Sequence, residues 1–465
     1  MVFSSLTFLL VFLPLLLLIY FIIPRKHRMA RNLVLAAFSV LFYAWGEPLY
    51  VFLIIISIAI THWASKKIAG GVKWGMILAV AANLLPLVFF KYIDFIIVNL
   101  NLIPGVNLAE TELPLPIGIS FYTFQNLTYI IDLYMGRVKR QRNPFYLALY
   151  VFLFPQLVAG PIVRYASIED AIENRRETMP EFMAGLTRFI RGLAKKVLIA
   201  NQAGFVTATI MAQESGSIGT SMLWLAVFAY AIQIYFDFSG YSDMAIGLGR
   251  MVGFRFPENF HYPYASKSVT EFWRRWHISL TSFFRDYVYI PLGGNRVSKP
   301  RWIFNFSLVW LLTGIWHGAY WNFIFWGLFY CAVLLAERLW LYRLLEKVPR
   351  LLAWCYTFTV TLFAWAIFMT ETNQPADLLH MLGRMISFEP TVATIRSLEL
   401  QPYILFLILG FVLSFPIRRR IMQLRLFENR TLQIAVCDAG VVLLYLFCLI
   451  YIVADSFNPF IYFRF

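Results

Sequence analysis

The sequence predicts an all-α, polytopic membrane protein, and three observations support this. Of the 465 residues, 60% are hydrophobic and only 14% are charged, whereas soluble domains carry roughly 25% charged residues. The mean hydropathy is +0.67. Uncharged runs recur along nearly the whole chain, and one bilayer crossing takes roughly 20 apolar residues. These runs cover residues 4–24, 48–65, 74–90, 143–163, 197–213, 215–236, 302–336, 351–370, 400–417 and 439–454.

With shorter runs such as 33–45 included, we expect about 11 transmembrane helices. Their even spread favours one integral membrane domain over residues 1–465 rather than several soluble domains. Within it, the residues with distinctive motifs lie at about 2–340, and further apolar helices follow at about 350–465.

The net charge of +15 is clustered between the apolar runs, at residues 24–31, 136–142, 174–177, 188–196 and 418–425. Basic loops of this kind follow the positive-inside rule and predict contact with membrane lipid, not with nucleic acid. Because no basic residue precedes the first apolar run, we expect the N-terminus to lie outside the cell.

Two segments interrupt the pattern of simple spans. In residues 113–132, Pro114, Pro116 and Gly118 disrupt the start and several polar side chains follow. Irregular backbone at membrane depth survives only where protein or a watery cavity covers it. We therefore interpret residues 113–132 as a re-entrant or funnel-lining segment, and residues 155–164 as a second bend.

Residues 235–296 are too charged to span lipid throughout, yet they are rich in aromatic side chains. Within them, residues 270–290 predict an amphipathic helix that lies at an interface or dips inward. Four-residue spacing would then place Trp273, His277 and Thr281 on one face of that helix.

His317 is the first candidate for chemistry, because residues 302–336 contain no Asp, Glu, Lys or Arg and His317 is their one histidine. An ionisable side chain in such a run costs free energy and is a functional-site hypothesis by default. Gly314 and Gly318 flank it, and Trp316, Tyr320 and Trp321 are expected to crowd the same turn, as the sequence places all of them within a few residues. The alternative is a neutral histidine that only bridges two helices.

His277 is the second candidate, 40 positions before His317. If the two meet in a cavity, one can act as general base on a hydroxyl, since histidine titrates near neutral pH. Asp286 is a candidate for orienting an imidazole, as the third member of a catalytic triad does. Taken alone, His277 fits a structural role equally well.

Three cations near His277, namely Arg274, Arg275 and Arg285, are candidates for binding the phosphates of a substrate. Snorkelling to lipid headgroups is the alternative. We expect no metal site, because the four cysteines form no CxxC pair and no HExxH occurs. No GxSxG is present either, so a self-contained serine esterase is not indicated.

Several of these segments together resemble the membrane-bound O-acyltransferase (MBOAT) family. The resemblance is to the branch that contains the membrane component of bacterial alginate O-acetylation and related surface-polysaccharide systems. It rests on VFSSLTFLLVFLPL (2–15), FYAWGEP (42–48), LPIGISFYTFQ (115–125), AGPIVR (159–164), YFDFSGYSDMAIGLG (235–249), ENFHYPY (258–264), EFWRRWHISLTSFFRDYVYIPLGGNR (271–296) and GIWHG (314–318).

This resemblance implies that the family's deeply placed histidine is His317 and that its second histidine is His277. It implies a ring of helices around a central tunnel, open to the cytosol, with a funnel on the opposite face. The donor would be acetyl-CoA as a substrate, with no permanently bound cofactor. An extracytoplasmic partner of the serine-hydrolase (SGNH) type would carry the acyl group to a surface polysaccharide, in the cytoplasmic membrane of a bacterium.

Other functions stay open at this point. Relatives that act on peptidoglycan or that add D-alanine to teichoic acid would share these motifs. A transporter or lipid flippase without chemistry of its own fits broken helices and an intramembrane histidine as well, although we see no paired halves. A structural scaffold for a secreted transferase is a further possibility.

Overall fold

The computed structural model describes residues 1–417 and 430–454, and all their regular secondary structure is helical. The basic cluster at 418–425 therefore lies outside the described residues. The chain divides into two compact units. Unit 1 is Met1–Phe189 with Ser242–Pro257, and unit 2 is Ile190–Tyr241 with Glu258–Phe465. The prediction of a single domain stays a prediction.

Unit 1 is built from the helices of the N-terminal third. They are α1 (Leu13–Ile22, after a π-helical turn Phe8–Phe12), α2 (Arg28–Ala44), α3 (Val51–Ala69), α4 (Lys73–Leu100), α5 (Ile119–Tyr134), α6 (Pro144–Phe152), α7 (Phe154–Leu157) and α8 (Tyr165–Asn174), together with most of α9 (Met179–Ala194) and the last part of α11 (Thr220–Met251).

Unit 2 holds the remaining helices. They are α10 (Asn201–Met211), the first part of α11, α12 (Val269–Arg275), α13 (Ile278–Phe284), α14 (Lys299–His317), α15 (Trp321–Ala336), α16 (Tyr342–Leu345), α17 (Arg350–Met369), α18 (Pro375–Arg384), α19 (Gln401–Leu413) and α20 (Arg430–Ala454). Short π-helical turns lie at Lys195–Ala200, Arg285–Tyr289 and Glu337–Leu341.

The described residues contain five helices that are long and apolar enough to cross a membrane. They are Val51–Ala69, Lys73–Leu100, Thr220–Met251, Trp321–Leu345 and Arg350–Met369. Three shorter apolar helices, Phe8–Ile22, Gln401–Leu413 and Asp438–Ala454, accompany them. The protein is therefore an all-helical membrane protein, as predicted, but the count of about 11 crossings is not confirmed.

Helix α5 lies alongside α3, one of the five candidate membrane spans, which argues against a re-entrant turn. Before α5, the carbonyl of Pro114 accepts a hydrogen bond of 3.0 Å from Tyr50, next to the start of α3. After α5, Arg140 donates to Ser65, near the end of α3, at 3.1 Å. The two ends of α5 thus lie beside the two ends of α3. Within 113–132 the irregular backbone is confined to residues before α5, where Gly118 has φ +74°. Of the second predicted bend, residues 155–164, the first three belong to α7, and 158–164 are non-helical.

A buried ion-pair cluster holds the N-terminal helices of unit 1 together. The carboxylate of Glu177, 2% exposed, pairs with Arg28, with Arg31 at 3.2 Å and with Arg175 at 3.7 Å, and Tyr20 donates to it. Burial raises the pKa of Glu177, but the hydrogen bonds from Arg28 and Tyr20 outweigh burial and lower the pKa to about 2. The stability this carboxylate contributes is therefore present above pH 4.5 and is lost as the pH falls towards 2.

The path of α5 makes a topological prediction. Single cysteines at Lys26 and Lys139, both exposed and in basic loops, should label from the cytosol. A cysteine at Glu110, exposed between α4 and α5, should label from outside, because α5 then crosses to reach residue 139. Labelling with a membrane-impermeant maleimide, in a background without the native cysteines, measures this. Outside labelling at both 110 and 139 would restore the re-entrant interpretation.

Candidate active site

His317 is the last residue of α14, at the tip of a helical hairpin. Residues 318–320 form the turn, and α15 begins at Trp321. The two helices approach closely because Gly314 and Gly327 face each other: a Cβ on Gly314 would clash with the carbonyl oxygen of Phe323, and one on Gly327 with that of Trp310. Small residues are what allow helix backbones to come this near in a membrane.

Aromatic rings enclose the imidazole of His317, which is 3% exposed. The ring centroids of Trp326, Trp316 and Phe368 lie 4.7, 4.8 and 5.0 Å from it. Trp316 forms part of this wall, as the sequence predicted, and Trp326 of α15 and Phe368 of α17 are members that it did not predict. Such packing excludes water, and electrostatic interactions strengthen where water is excluded.

His277 does not lie within a continuous helix, and the predicted helix over 270–290 is wrong in this respect. The helix α12 ends at Arg275, and α13 begins at Ile278. Between them, His277 has left-handed backbone angles, φ +41° and ψ 56°. The helical spacing of Trp273, His277 and Thr281 therefore does not apply. At this break the chain dips inward within unit 2, the second of the two predicted alternatives, since Trp276 is 2% and His277 1% exposed.

Residues 259–261 hold this break in place. The amide N–H of Ile278 donates to the carbonyl of Asn259 at 3.0 Å, and the N–H of His261 donates to the carbonyl of Arg275 at 2.9 Å. A left-handed non-glycine residue persists where its surroundings over-determine it, and such residues cluster at functional sites.

The imidazole of His277 has a defined environment. Its Nδ1 lies 3.1 Å from Oδ1 of Asn259, and its ring packs edge-on against Phe238 at 4.6 Å. Burial lowers the pKa of His277 to about 3, so the ring is neutral at physiological pH.

The two predicted histidines of unit 2 both pack against the ring of Trp316. Trp316 packs against His317 at 4.8 Å and against His277 at 6.0 Å between ring centroids. The two imidazoles thus share a buried, water-poor environment.

The remaining predicted residues lie in the same segment but contact other groups. Asp286 forms an ion pair with Arg285, at 2.7 Å, while Nδ1 of His277 lies 3.1 Å from Oδ1 of Asn259 and 3.5 Å from the hydroxyl of Ser279. Arg275 pairs with Glu271 at 2.6 Å, and Arg274 is exposed. To bind a phosphate group, Arg275 and Arg285 would first have to release the carboxylates of Glu271 and Asp286. Arg274 is therefore the clearest candidate of the three for binding phosphate. The roles of all four residues stay predictions.

Sequence reasoning missed two buried groups next to the His277 segment. Asn259 appears in it only as a member of the ENFHYPY motif. Glu337, 1% exposed, accepts from the backbone N–H of Val269 at 2.7 Å and of Thr270 at 2.8 Å. Its carboxylate therefore caps the N-terminus of α12, the helix that leads to His277. No spacing rule connects residues 68 positions apart, so only the fold reveals this contact.

Sequence comparison shows the class to which this all-helical membrane protein with two buried histidines belongs, that of the membrane-bound acyltransferases. Residues 136–374 match the model of the MBOAT, membrane-bound O-acyltransferase family. The chain belongs to this family and is an O-acyltransferase, as the resemblance had implied.

The chain is similar to three curated relatives over most of its length. One named "Probable alginate O-acetylase AlgI" from Azotobacter vinelandii is 43% identical over 83% of this chain and 78% of the relative. Another of the same name from Pseudomonas putida is 38% identical over 100% of both chains. A "Peptidoglycan O-acetyltransferase" from Helicobacter pylori is 36% identical over 83% of this chain and 80% of the relative.

Proposed function

We propose that the protein transfers acetyl groups from cytosolic acetyl-CoA towards an extracytoplasmic hydroxyl acceptor, for O-acetylation of a surface polysaccharide such as alginate. The observation that carries this proposal is the packing of His277 and His317 against Trp316 in one buried aromatic environment. The names of the relatives at 38–43% identity support the choice of acetyl group and of alginate.

The chemistry needs one base. His317 accepts the proton of the acceptor hydroxyl while the hydroxyl oxygen attacks the carbonyl carbon of the acetyl thioester. The C–S bond then breaks, the CoA thiolate leaves, and the proton passes from His317 to the sulfur. His277 supports the hydroxyl from beside Trp316. A thioester is already activated, so a base and stabilisation of the oxyanion are sufficient without a metal ion.

We propose a cytosolic tunnel for the donor and an opposite funnel for the acceptor, meeting near His317. The phosphates of acetyl-CoA would meet Arg274, with Arg275 and Arg285 as further candidates. The acyl group would pass to an extracytoplasmic SGNH-type partner, which delivers it to the polymer. The setting would be the cytoplasmic membrane of a bacterium.

Charge reversal at the three arginines tests the donor site. Arg274→Glu should raise the KM for acetyl-CoA several-fold with a smaller change in kcat, because the phosphates lie far from the reacting carbonyl and contribute mainly uniform binding. The KM should also rise with salt. Steady-state kinetics in proteoliposomes measure both effects.

Arg396→Glu is the matched control for this experiment, since it reverses an exposed cation elsewhere in unit 2, and it should leave the donor KM unchanged. A donor KM that is unchanged in the variants of Arg274, Arg275 and Arg285 alike would assign these side chains to lipid headgroups.

One alternative is transfer of another acyl group or to another envelope polymer, and the peptidoglycan-acetylating relative is the observation that favours it. Purified protein in proteoliposomes, supplied in turn with acetyl-CoA and with a D-alanyl thioester, separates these functions. Turnover of acetyl-CoA only, with product on alginate oligosaccharides in the presence of the secreted partner, is the expected result. A transporter or flippase would turn over neither thioester.

A further inference from the structure

We infer that Asn259 is a positioning residue that holds His277 as its Nδ1–H tautomer and so directs the lone pair of Nε2 towards the acceptor hydroxyl. This inference rests on the proposed role of His277 in acyl transfer. It replaces the role that the sequence suggested for Asp286.

The orientation of the Asn259 amide follows from Ser279. The backbone N–H of Ser279 donates to Oδ1 of Asn259 at 3.2 Å, and the Ser279 hydroxyl donates to the same atom at 2.9 Å. A backbone N–H is only a donor, so the amide atom it faces must be the oxygen. A flipped amide would place its NH₂ group against that N–H, and the hydrogen-bond network excludes this orientation.

The tautomer of His277 follows from the amide. Nδ1 of His277 lies 3.1 Å from the same Oδ1, and a carbonyl oxygen is only an acceptor. Nδ1 therefore carries the proton. A neutral imidazole has one N–H, so Nε2 is the nitrogen with the lone pair.

Asn259 also contacts the backbone next to His277. The backbone carbonyl of Asn259 accepts a hydrogen bond of 3.0 Å from the N–H of Ile278, the residue directly after His277. Asn259 is 1% exposed, as is His277, so water does not compete for either contact. One buried residue thus contacts both the ring of His277 and the backbone N–H of the residue directly after it.

In this arrangement the two histidines have different roles. His277, neutral and with Nε2 as an acceptor, receives a hydrogen bond from the acceptor hydroxyl and orients it. His317 removes the proton. Loss of the orienting group should therefore lower turnover and leave donor binding intact.

The first test is spectroscopic and needs no activity. Protein labelled with ¹⁵N-histidine, with the His277 signals assigned by their loss in His277→Asn, should show a protonated Nδ1 and an unprotonated Nε2. Asparagine suits the control because it tolerates left-handed backbone angles. In Asn259→Ala the Nε2–H form should appear, whereas Asn259→Asp keeps an acceptor oxygen and should keep Nδ1–H. An Nε2–H tautomer in the unmodified protein would overturn the inference.

The second test is kinetic. Asn259→Ala should lower kcat about 10- to 100-fold, within the range in which a positioned acid–base group acts, with the KM for acetyl-CoA unchanged. Asn259→Asp should recover most of this loss. Asn305→Ala is the control for loss of a buried amide, since Asn305 of α14 donates to Leu292 at 3.0 Å, and its kcat per folded molecule should be unchanged.

The outcomes separate the inference from the proposed function. If His277→Asn were fully active and the unmodified protein showed the Nδ1–H tautomer, the role of His277 in catalysis would be refuted. The positioning of its ring by Asn259 would stand. Full activity in Asn259→Ala, alongside an inactive His277→Asn, would refute the positioning role alone.

Discussion

Replacement of His317 by alanine should abolish acetylation of the surface polymer in cells that produce the protein at its normal level. The imidazole is the one side chain in residues 302–336 that ordinarily titrates near neutral pH, and it lies within an aromatic enclosure at the tip of the α14–α15 hairpin. A general base contributes roughly 100- to 10,000-fold to a rate. Acetyl content of the isolated polymer, measured by alkaline release of acetate, reports the effect.

Two further variants show whether the imidazole or only its volume matters. His317→Gln keeps a polar side chain of similar length but has no base near neutral pH, and it should be as inactive as His317→Ala. His380→Ala removes an exposed histidine of α18 and should be fully active. If His317→Gln acetylated the polymer normally, the histidine would be a structural bridge. The same conclusion would follow if His317→Ala lost its activity only because the protein unfolds in detergent.

Replacement of Gly314 by alanine should reduce kcat at least 10-fold and lower the melting temperature. The added methyl group would meet the carbonyl oxygen of Phe323, which belongs to the backbone of α15 and cannot rotate away. The two helices must therefore separate, and His317, one turn further along α14, shifts with them. A displacement of about 1 Å in a catalytic group costs on the order of 100-fold in rate.

Gly383 supplies the matched control. It also lies within a helix, but no atom lies within 4 Å of the Cβ that a substitution would add. Gly383→Ala should leave activity unchanged and raise stability slightly, because alanine is the better helix former. Both variants are compared by thermal unfolding and by turnover per folded molecule. Normal kcat in Gly314→Ala would show that close helix packing does not position His317.

The sequence predicted the features of the site that depend on composition, and it missed those that depend on tertiary contacts. His317 stood out because a titratable group in an apolar run needs a reason to be there. His277 was also identified, but its helical spacing was wrong: hydrogen bonds from residues 259–261 break the helix there, and no local pattern signals a contact from that distance.

The membrane-spanning helices show the same difference between what composition predicts and what tertiary contacts decide. Polarity in residues 113–132 suggested a re-entrant or funnel-lining segment, and the path of α5 alongside α3 argues against the re-entrant alternative. Nearly all of its side chains are buried by protein, and polar groups are tolerated in such a helix because neighbouring helices, and not lipid, surround it. A hydropathy pattern does not distinguish a helix covered by protein from one that leaves the membrane.

The central claim is that His317 catalyses acyl transfer from a cytosolic thioester. Its most direct test is a single-turnover experiment in proteoliposomes of known orientation, with acetyl-labelled acetyl-CoA on one face only and the acceptor on the other. We predict labelled acceptor when the donor is on the cytosolic face, none when it is on the outer face, and none from His317→Ala although that variant still binds acetyl-CoA. Equal transfer with donor on the outer face, or unchanged transfer by His317→Ala, would contradict the account.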